Sequence, residues 1–275
     1  LQDIKSFSED WNILPLSKDE VAKLKKLSTF TKVKDLPYIK NLRGELDLTL
    51  NGKSIVCENT GYKLVRGRNI GYYKTETEDI TEYVVNDFVS STAKGNYIKS
   101  ERIICQQIVN KNKTRRVSFA PVEKNFVLAN SCNFIALAED APITLNFIMG
   151  VFNSSIINWY FKLSSTNNHI NNYEIDDFPI PVNSPYKAEI ESLVSEYLMT
   201  EKVELLEQID SLVNKSFFMT EEKASTNLKL EEAIKKGITN SVASCTMYIE
   251  LGRKLYMSKG SEKNIKITTV EDIEI

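Results

Sequence analysis

This 275-residue sequence has a single histidine, His169, and its four cysteines (Cys57, Cys105, Cys132 and Cys245) include no Cys-x-x-Cys pair. That poverty of ligands argues against a zinc site and against a two-histidine nuclease, and it fits free thiols in a reducing cytoplasm. Glycine is sparse, at ten residues, and no Gly-x-Gly occurs. A nucleotide or methyl-donor pocket of the strand, Gly-rich turn and helix type is therefore not expected. Long apolar runs are missing too. The most hydrophobic stretch, 143–163, is broken by Asn146, Asn153, Ser154, Ser155 and Asn158, so it reads as a core helix and no membrane span is expected. No charged-then-apolar leader opens the chain, and a cytoplasmic location is expected. Glu221-Glu222-Lys223 has the Glu-x-Lys spacing of one nuclease core but lacks an upstream Asp placed on a strand.

What is present is enough apolar residue to bury a core, 42% hydrophobic against 26% charged. The length suits one large domain or two small ones. The chain opens on Leu1 rather than Met, which predicts a piece of something longer. The net charge of −2 conceals a division: residues 61–130 hold twelve Lys/Arg against seven Asp/Glu, and residues 181–240 hold seven against eleven. An anionic partner would meet the middle of the chain.

In order, Ser17-x-x-Glu20 is a capping box that predicts a helix to about Ser28 burying Val21, Leu24 and Leu27. Alternating Leu46, Leu48 and Leu50, then Asn51-Gly52, predict a β-hairpin returning through Ser54-Ile55-Val56. Arg66-Gly67-Arg68-Asn69 sets two guanidiniums either side of a residue that lets backbone approach a partner; a strand end with solvated arginines explains these residues equally well. From Glu101 the pattern turns β, predicting an antiparallel meander of strands over 103–109, 115–119, 126–128 and 133–137. Its first turn carries Lys111, Lys113, Arg115 and Arg116 with no acid, which suits phosphate contacts from a protruding ribbon over a merely solvated tip. Gln106 and Gln107 fall on opposite faces of their strand, so at most one can enter a groove, where Gln is a bidentate partner for adenine.

Residues 143–182 are the organising stretch. One aromatic-heavy face at helical spacing (Leu145, Ile148, Met149, Phe152, Ile156, Trp159, Tyr160, Leu163) predicts a single helix. The turn after it, Thr166-Asn167-Asn168-His169-Ile170-Asn171-Asn172-Tyr173, is dense in amides. Composition alone favours an ordinary turn, yet each Asn carries both a donor and an acceptor for a base edge. Two more helices are expected after Ser184-Pro185, with Ile190, Leu193, Val194, Tyr197 and Leu198 on one apolar face and Leu205, Leu206, Ile209, Leu212 and Val213 on the next. Two further helices are expected at 226–237 and 239–257.

The run FNSSIINWYFKLSSTNNHINNYEIDDFPIP (152–181) resembles the C-terminal specificity region of restriction–modification adenine methyltransferases, the TaqI-like group and especially the Alw26I/Eco31I/Esp3I type. RGELDLTLNGK (43–53), YKLVRGRNI (62–70) and ERIICQQIV (101–109) resemble further blocks in the same order, and QIDSLVNKSFF (208–218) resembles the tail; the similarity covers roughly 10–217. Asp35-Leu36-Pro37-Tyr38 comes close to the Asp-Pro-Pro-Tyr box of these enzymes, but Leu replaces its first proline and only 34 residues precede it, so no catalytic residue is assigned. The resemblance implies an α+β fold: a β-rich DNA target recognition domain packed on a central helix, followed by a helical C-terminal part. Domains are expected at 1–55 (connector), 56–182 (target recognition) and 183–275 (helical). It implies double-stranded DNA as partner, with Arg66, Arg68, Asn69, Gln106, Gln107, Lys111, Lys113, Arg115, Arg116, Asn167, Asn168, His169 and Asn171 as candidate contacts. No cofactor is expected in this chain; S-adenosylmethionine would be bound by a methyltransferase domain upstream in the parent chain. The alternatives are one half of a type I-like DNA specificity subunit and a protein-interaction module whose basic loop is incidental.

Overall fold

The computed structural model describes residues 16–165 and 167–219. The chain divides into two compact units, 1–219 and 220–275. The second unit, with Cys245, Glu221-Glu222-Lys223 and the helices expected at 226–237 and 239–257, lies outside the described residues, as does Thr166. The first unit is α+β, as expected.

Helix α1 (Lys18–Leu27) begins at the expected capping box: Ser17 Oγ accepts from the Glu20 amide, while Glu20 Oε2 accepts from the Ser17 amide at 2.9 Å. It buries Leu24 and Leu27. Strand β1 (Ile39–Arg43) follows. The hairpin expected at 46–56 does not form. Asp47 Oδ1 accepts from the amides of Thr49 and Leu50, and the Asn51 amide donates to Asp47 O, so the segment curls into a turn and leaves Leu50 82% exposed. An aspartate at a turn start offers the backbone bonds that compete with a strand ladder, and these outweigh three alternating leucines.

Two four-stranded sheets result, with orders β1-β8-β5-β6 and β2-β4-β3-β7. In the first, β5 (Arg102–Gln106) lies between β6 (Phe119–Val122) and β8 (Cys132–Leu137), all antiparallel, and β8 continues to β1. In the second, β2 (Ile55–Val56) and β3 (Lys63–Val65) flank β4 (Tyr83–Val84), and β3 pairs in parallel with β7 (Phe126–Leu128). The expected meander is therefore corrected: β7, between β6 and β8 in sequence, leaves their sheet for the other. The strand foreseen at 115–119 begins only at Phe119. The chain after β1 follows the same crossing, with Leu46 bridging Ala129 and bonded to Leu128 O and Asn130 N. Gly44 sits at the crossing because a Cβ there would lie 2.1 Å from Ala129 O, a contact no other residue tolerates.

Where the two sheets meet, Arg102 and Glu45 form a fully buried ion pair. Arg102 Nη2 also donates to Phe126 O at 2.6 Å, and Glu45 Oε2 accepts from the Leu128 amide at 2.7 Å. Burial raises the Glu45 carboxyl above its ordinary value, against the pull of the adjacent guanidinium. Such a pair fixes register more than it adds net stability.

After the short helices α2 (Asn86–Ser91) and α3 (Gly95–Ile98), the long helix expected over 143–163 is two helices, α4 (Leu145–Phe152) and α5 (Ser155–Ser164). Asn153 C-caps the first and Ser154 N-caps the second, its Oγ accepting from the Ile157 amide. α4 keeps the predicted apolar spacing, but α5 buries Ile156, Ile157 and Phe161 and leaves the expected Trp159, Tyr160 and Leu163 half-buried; the Asn-Ser pair between the helices supplies a cap, which periodicity alone cannot register. Residues 147–152 of α4 are buried throughout. One side meets β5 and β6, with Phe119 and Phe152 rings 5.0 Å apart, and the other meets α7 (Lys187–Thr200) and α8 (Glu204–Phe218). The last two bury Ile190 and Val194, then Leu205, Ile209, Leu212, Val213 and Phe217, much as the sequence predicts.

Replacing Arg102 with Met should strand a buried carboxylate and cost about 3–5 kcal/mol in denaturant unfolding. The double variant Arg102→Met/Glu45→Gln, which keeps an acceptor for the Leu128 amide, should recover most of that loss.

Candidate functional site

β5 and β6 are joined by the loop 107–118, and α5 leads into the amide-rich turn 165–171. The structure brings these two segments together. Ile108 bridges His169; the Val109 amide donates to Asn168 O at 2.8 Å, the Ile170 amide to Gln107 O at 2.7 Å, and the Lys111 amide to Asn168 Oδ1 at 2.8 Å. From β8, Asn133 Nδ2 donates to Ile170 O at 2.6 Å; from β1, Asn41 Nδ2 donates to Asn172 O at 2.8 Å. The turn is thus tied to the basic loop on one side and to the first sheet on the other.

The returning leg of the loop, 114–119, is held by asparagines of α4 and α5 instead of a strand. Asn158 Oδ1 accepts from the Arg116 amide at 2.7 Å while its Nδ2 donates to Thr114 O at 2.9 Å. Buried Asn153, capping α4, accepts from the Phe119 amide and donates to Phe119 O, at 2.7 and 2.8 Å. An amide side chain presents the same donor and acceptor as a peptide, so it substitutes for a neighbouring strand.

Between the loop and residues 70–72 lies a cleft of about 350 Å³, lined by Ile70, Tyr72, Gln106, Lys113, Arg115 and Arg116 among others. Its charge comes from lysine and arginine, and no acid lines it. Arg115 lies over the Tyr72 ring, 4.0 Å from its centre, and donates to Asn153 O at 2.6 Å. Lys111 and Lys113 are exposed.

Several expected contacts take internal roles. Arg116, expected at the loop tip facing phosphate, is 1% exposed: its guanidinium lies over Phe161 and donates to Asn167 O at 2.9 Å. Arg66 is bound by two hydrogen bonds to Glu82, at 2.7 and 2.6 Å, and Asn69 Oδ1 accepts from the Arg66 amide. Gly67 does serve a close approach, but to its own chain: a Cβ would lie 2.7 Å from Ser131 O. Asn171 caps the short helix α6 (Asn172–Asp176) in a reciprocal box with Glu174. Gln107 Oε1 accepts from Arg43, a residue the sequence reading passed over. Arg68, at 76% side-chain exposure, and exposed Asn167, Asn168 and His169 remain on the surface, and Gln106 lines the cleft. Tyr72, Asn153 and Asn158 were also missed as site residues. The only sequence signal for the two asparagines was that they interrupt an apolar helix, which argued against a membrane span.

Elsewhere, Asp35-Leu36-Pro37-Tyr38 starts in a 3-10 turn (Val33–Asp35), and Lys32 and Lys34 flanking it pair with Asp177. Among the described residues, no group of three His, Cys, Asp or Glu side chains is placed to hold a metal, and no helix is long and apolar enough to cross a membrane. Burial pushes the Cys132 thiol up to about 12.

The site is thus a rigid, cation-lined loop platform on an α+β frame. Residues 62–180 match the family model of the TaqI-like C-terminal specificity domain. Among solved structures, the chain is similar to the type IIL restriction–modification enzyme MmeI in complex with DNA, at 10% identity and TM-score 0.39, covering 81% of this chain and 35% of that one. It is also similar to the HsdS subunit from Thermoanaerobacter tengcongensis, at 10% identity and TM-score 0.34, covering 73% and 51% of the two chains. A third is a structure of the type I R-M system, at 10% identity and TM-score 0.30, covering 66% and 46%. The chain spans between about a third and a half of the length of these structures. No curated protein matches.

The Arg66–Glu82 pair gives a pH test. Hydrogen bonding to Arg66 holds the Glu82 carboxyl below its ordinary 4.5. A depressed carboxylate contributes stability above its unfolded value and loses it as pH falls through the folded one. Glu82→Gln should therefore be less stable than the parent at pH 7, with the gap in Tm closing as pH falls below about 4.5.

Proposed function

We propose that this chain binds duplex DNA in a sequence-dependent manner, as the target recognition part of a site-specific adenine-N6 DNA methyltransferase of a restriction–modification system. The carrying observation is the cationic loop, which lines the cleft and is hydrogen-bonded to the amide-rich turn, within a segment that matches the TaqI-like specificity model. Exposed Lys111, Lys113 and Arg68 contact phosphates and set orientation; Gln106 and the amides of the turn meet base edges. In this reading S-adenosylmethionine and the flipped adenine are held by a catalytic domain elsewhere in the parent protein. Extruding the base costs a few kcal/mol of stacking, which this part helps offset by gripping the flanking duplex.

One half of a type I-like specificity subunit is the second reading, since α7 and α8 follow the recognition part in both. Here they run 14 and 15 residues and pack on α4, which favours the methyltransferase reading over a long interhelical seam.

Binding to duplex DNA should weaken steeply with salt, log K falling by roughly 0.9 per phosphate neutralised. Lys111→Ala/Lys113→Ala/Arg68→Ala should lower affinity for all duplexes alike and flatten that slope; a response flat in the parent would favour a protein-interaction module. Calorimetry of this chain with S-adenosylmethionine should show no heat, and tight binding would overturn the division of labour.

A further inference from the structure

Which base edges the turn can read follows from how its amides are already spent. Asn167 Oδ1 accepts from the His169 amide at 2.7 Å, and Asn168 Oδ1 accepts from the Lys111 amide at 2.8 Å. Gln107 Oε1 accepts from Arg43 Nη2 at 3.1 Å. Each donor is an N–H, so the oxygen and nitrogen of these three side chains are fixed by chemistry: the atom receiving the bond is the carbonyl. Their amide nitrogens, by contrast, have no partner among the described residues. Asn167 and Asn168 are exposed, with exposed Lys111 and Lys113, donor-only side chains, on the loop bonded to the turn. On these three amides and two lysines, every side-chain group without a partner among the described residues is a donor.

A bidentate grip on adenine needs an amide carbonyl for the N6 amino group as well as an N–H for N7. With one lone pair taken by a short internal bond, these carbonyls are poor partners for an amino group. Guanine presents two acceptors, O6 and N7, and thymine one, O4, whereas cytosine presents the N4 amino donor. Resting on the DNA-reading proposal above, we infer that the amide turn is a donor array that selects acceptor-rich edges in the major groove, guanine first, and discriminates against amino groups.

The test is selection of the intact chain against a randomised duplex pool, followed by base analogues in the enriched site. A guanine should be enriched, and 7-deazaguanine at that position, which lacks the N7 acceptor, should weaken binding about tenfold or more. Asn168→Asp keeps the oxygen that holds the Lys111 amide but replaces both donors with an acceptor, so folding is preserved. It should erase the guanine preference and turn it towards cytosine, with the thermal unfolding midpoint little changed. Enrichment of a site contacted only at adenine, weakened equally by loss of N7 or of the N6 amino group, would overturn the donor array while leaving DNA recognition standing. Absence of any salt-dependent duplex binding would overturn the DNA reading itself, and this inference with it.

Discussion

Backbone that leaves a strand must still satisfy its amides and carbonyls, and around the cleft this requirement is met by side chains. Asn153 and Asn158 act as a surrogate strand for residues 114–119, Asn133 and Asn41 hold the turn from the first sheet, and the Arg116 guanidinium closes on Asn167 O from below. An unpaired buried peptide group costs about as much as a lost hydrogen bond, so each such side chain holds its loop in one conformation. A loop so held loses little entropy when it meets a ligand, which preserves binding energy for discrimination.

That arrangement explains what was legible beforehand. The capping box of α1 and the apolar faces of α4, α7 and α8 followed from local spacing, because burial of a stripe depends on little beyond its period; the break at Asn153-Ser154 turned the buried face of α5 to Ile157 and Phe161. The failed hairpin at 46–56 shows local chemistry losing to more local chemistry, with Asp47 capturing the amides that an Asn-Gly turn would have aligned. The departure of β7 into the second sheet was not legible, since its three apolar residues fit either sheet and only the crossing at Gly44 and the buried Arg102–Glu45 pair decide between them.

At the site, charge counting picked out the loop that lines the cleft and overcounted its free side chains. Arg115, Arg116 and Arg66 are cations by sequence, but in the fold each is committed to an aromatic ring, a carbonyl or a carboxylate. Planar guanidinium, weakly hydrated and rich in donors, is the cation that suits interior bracing, whereas lysine stays in water. The two lysines of the loop accordingly remain outside.

The frame grips the turn largely through main-chain atoms: Asn167 O, Asn168 O, both polar atoms of Ile170 and Asn172 O. Side chains at 167 and 168 add one bond each, accepting from the His169 and Lys111 amides, so an exchange that keeps an acceptor there leaves the turn's shape in place. A lineage could exchange them and acquire a new preference without rebuilding the scaffold, so that selectivity drifts faster than architecture.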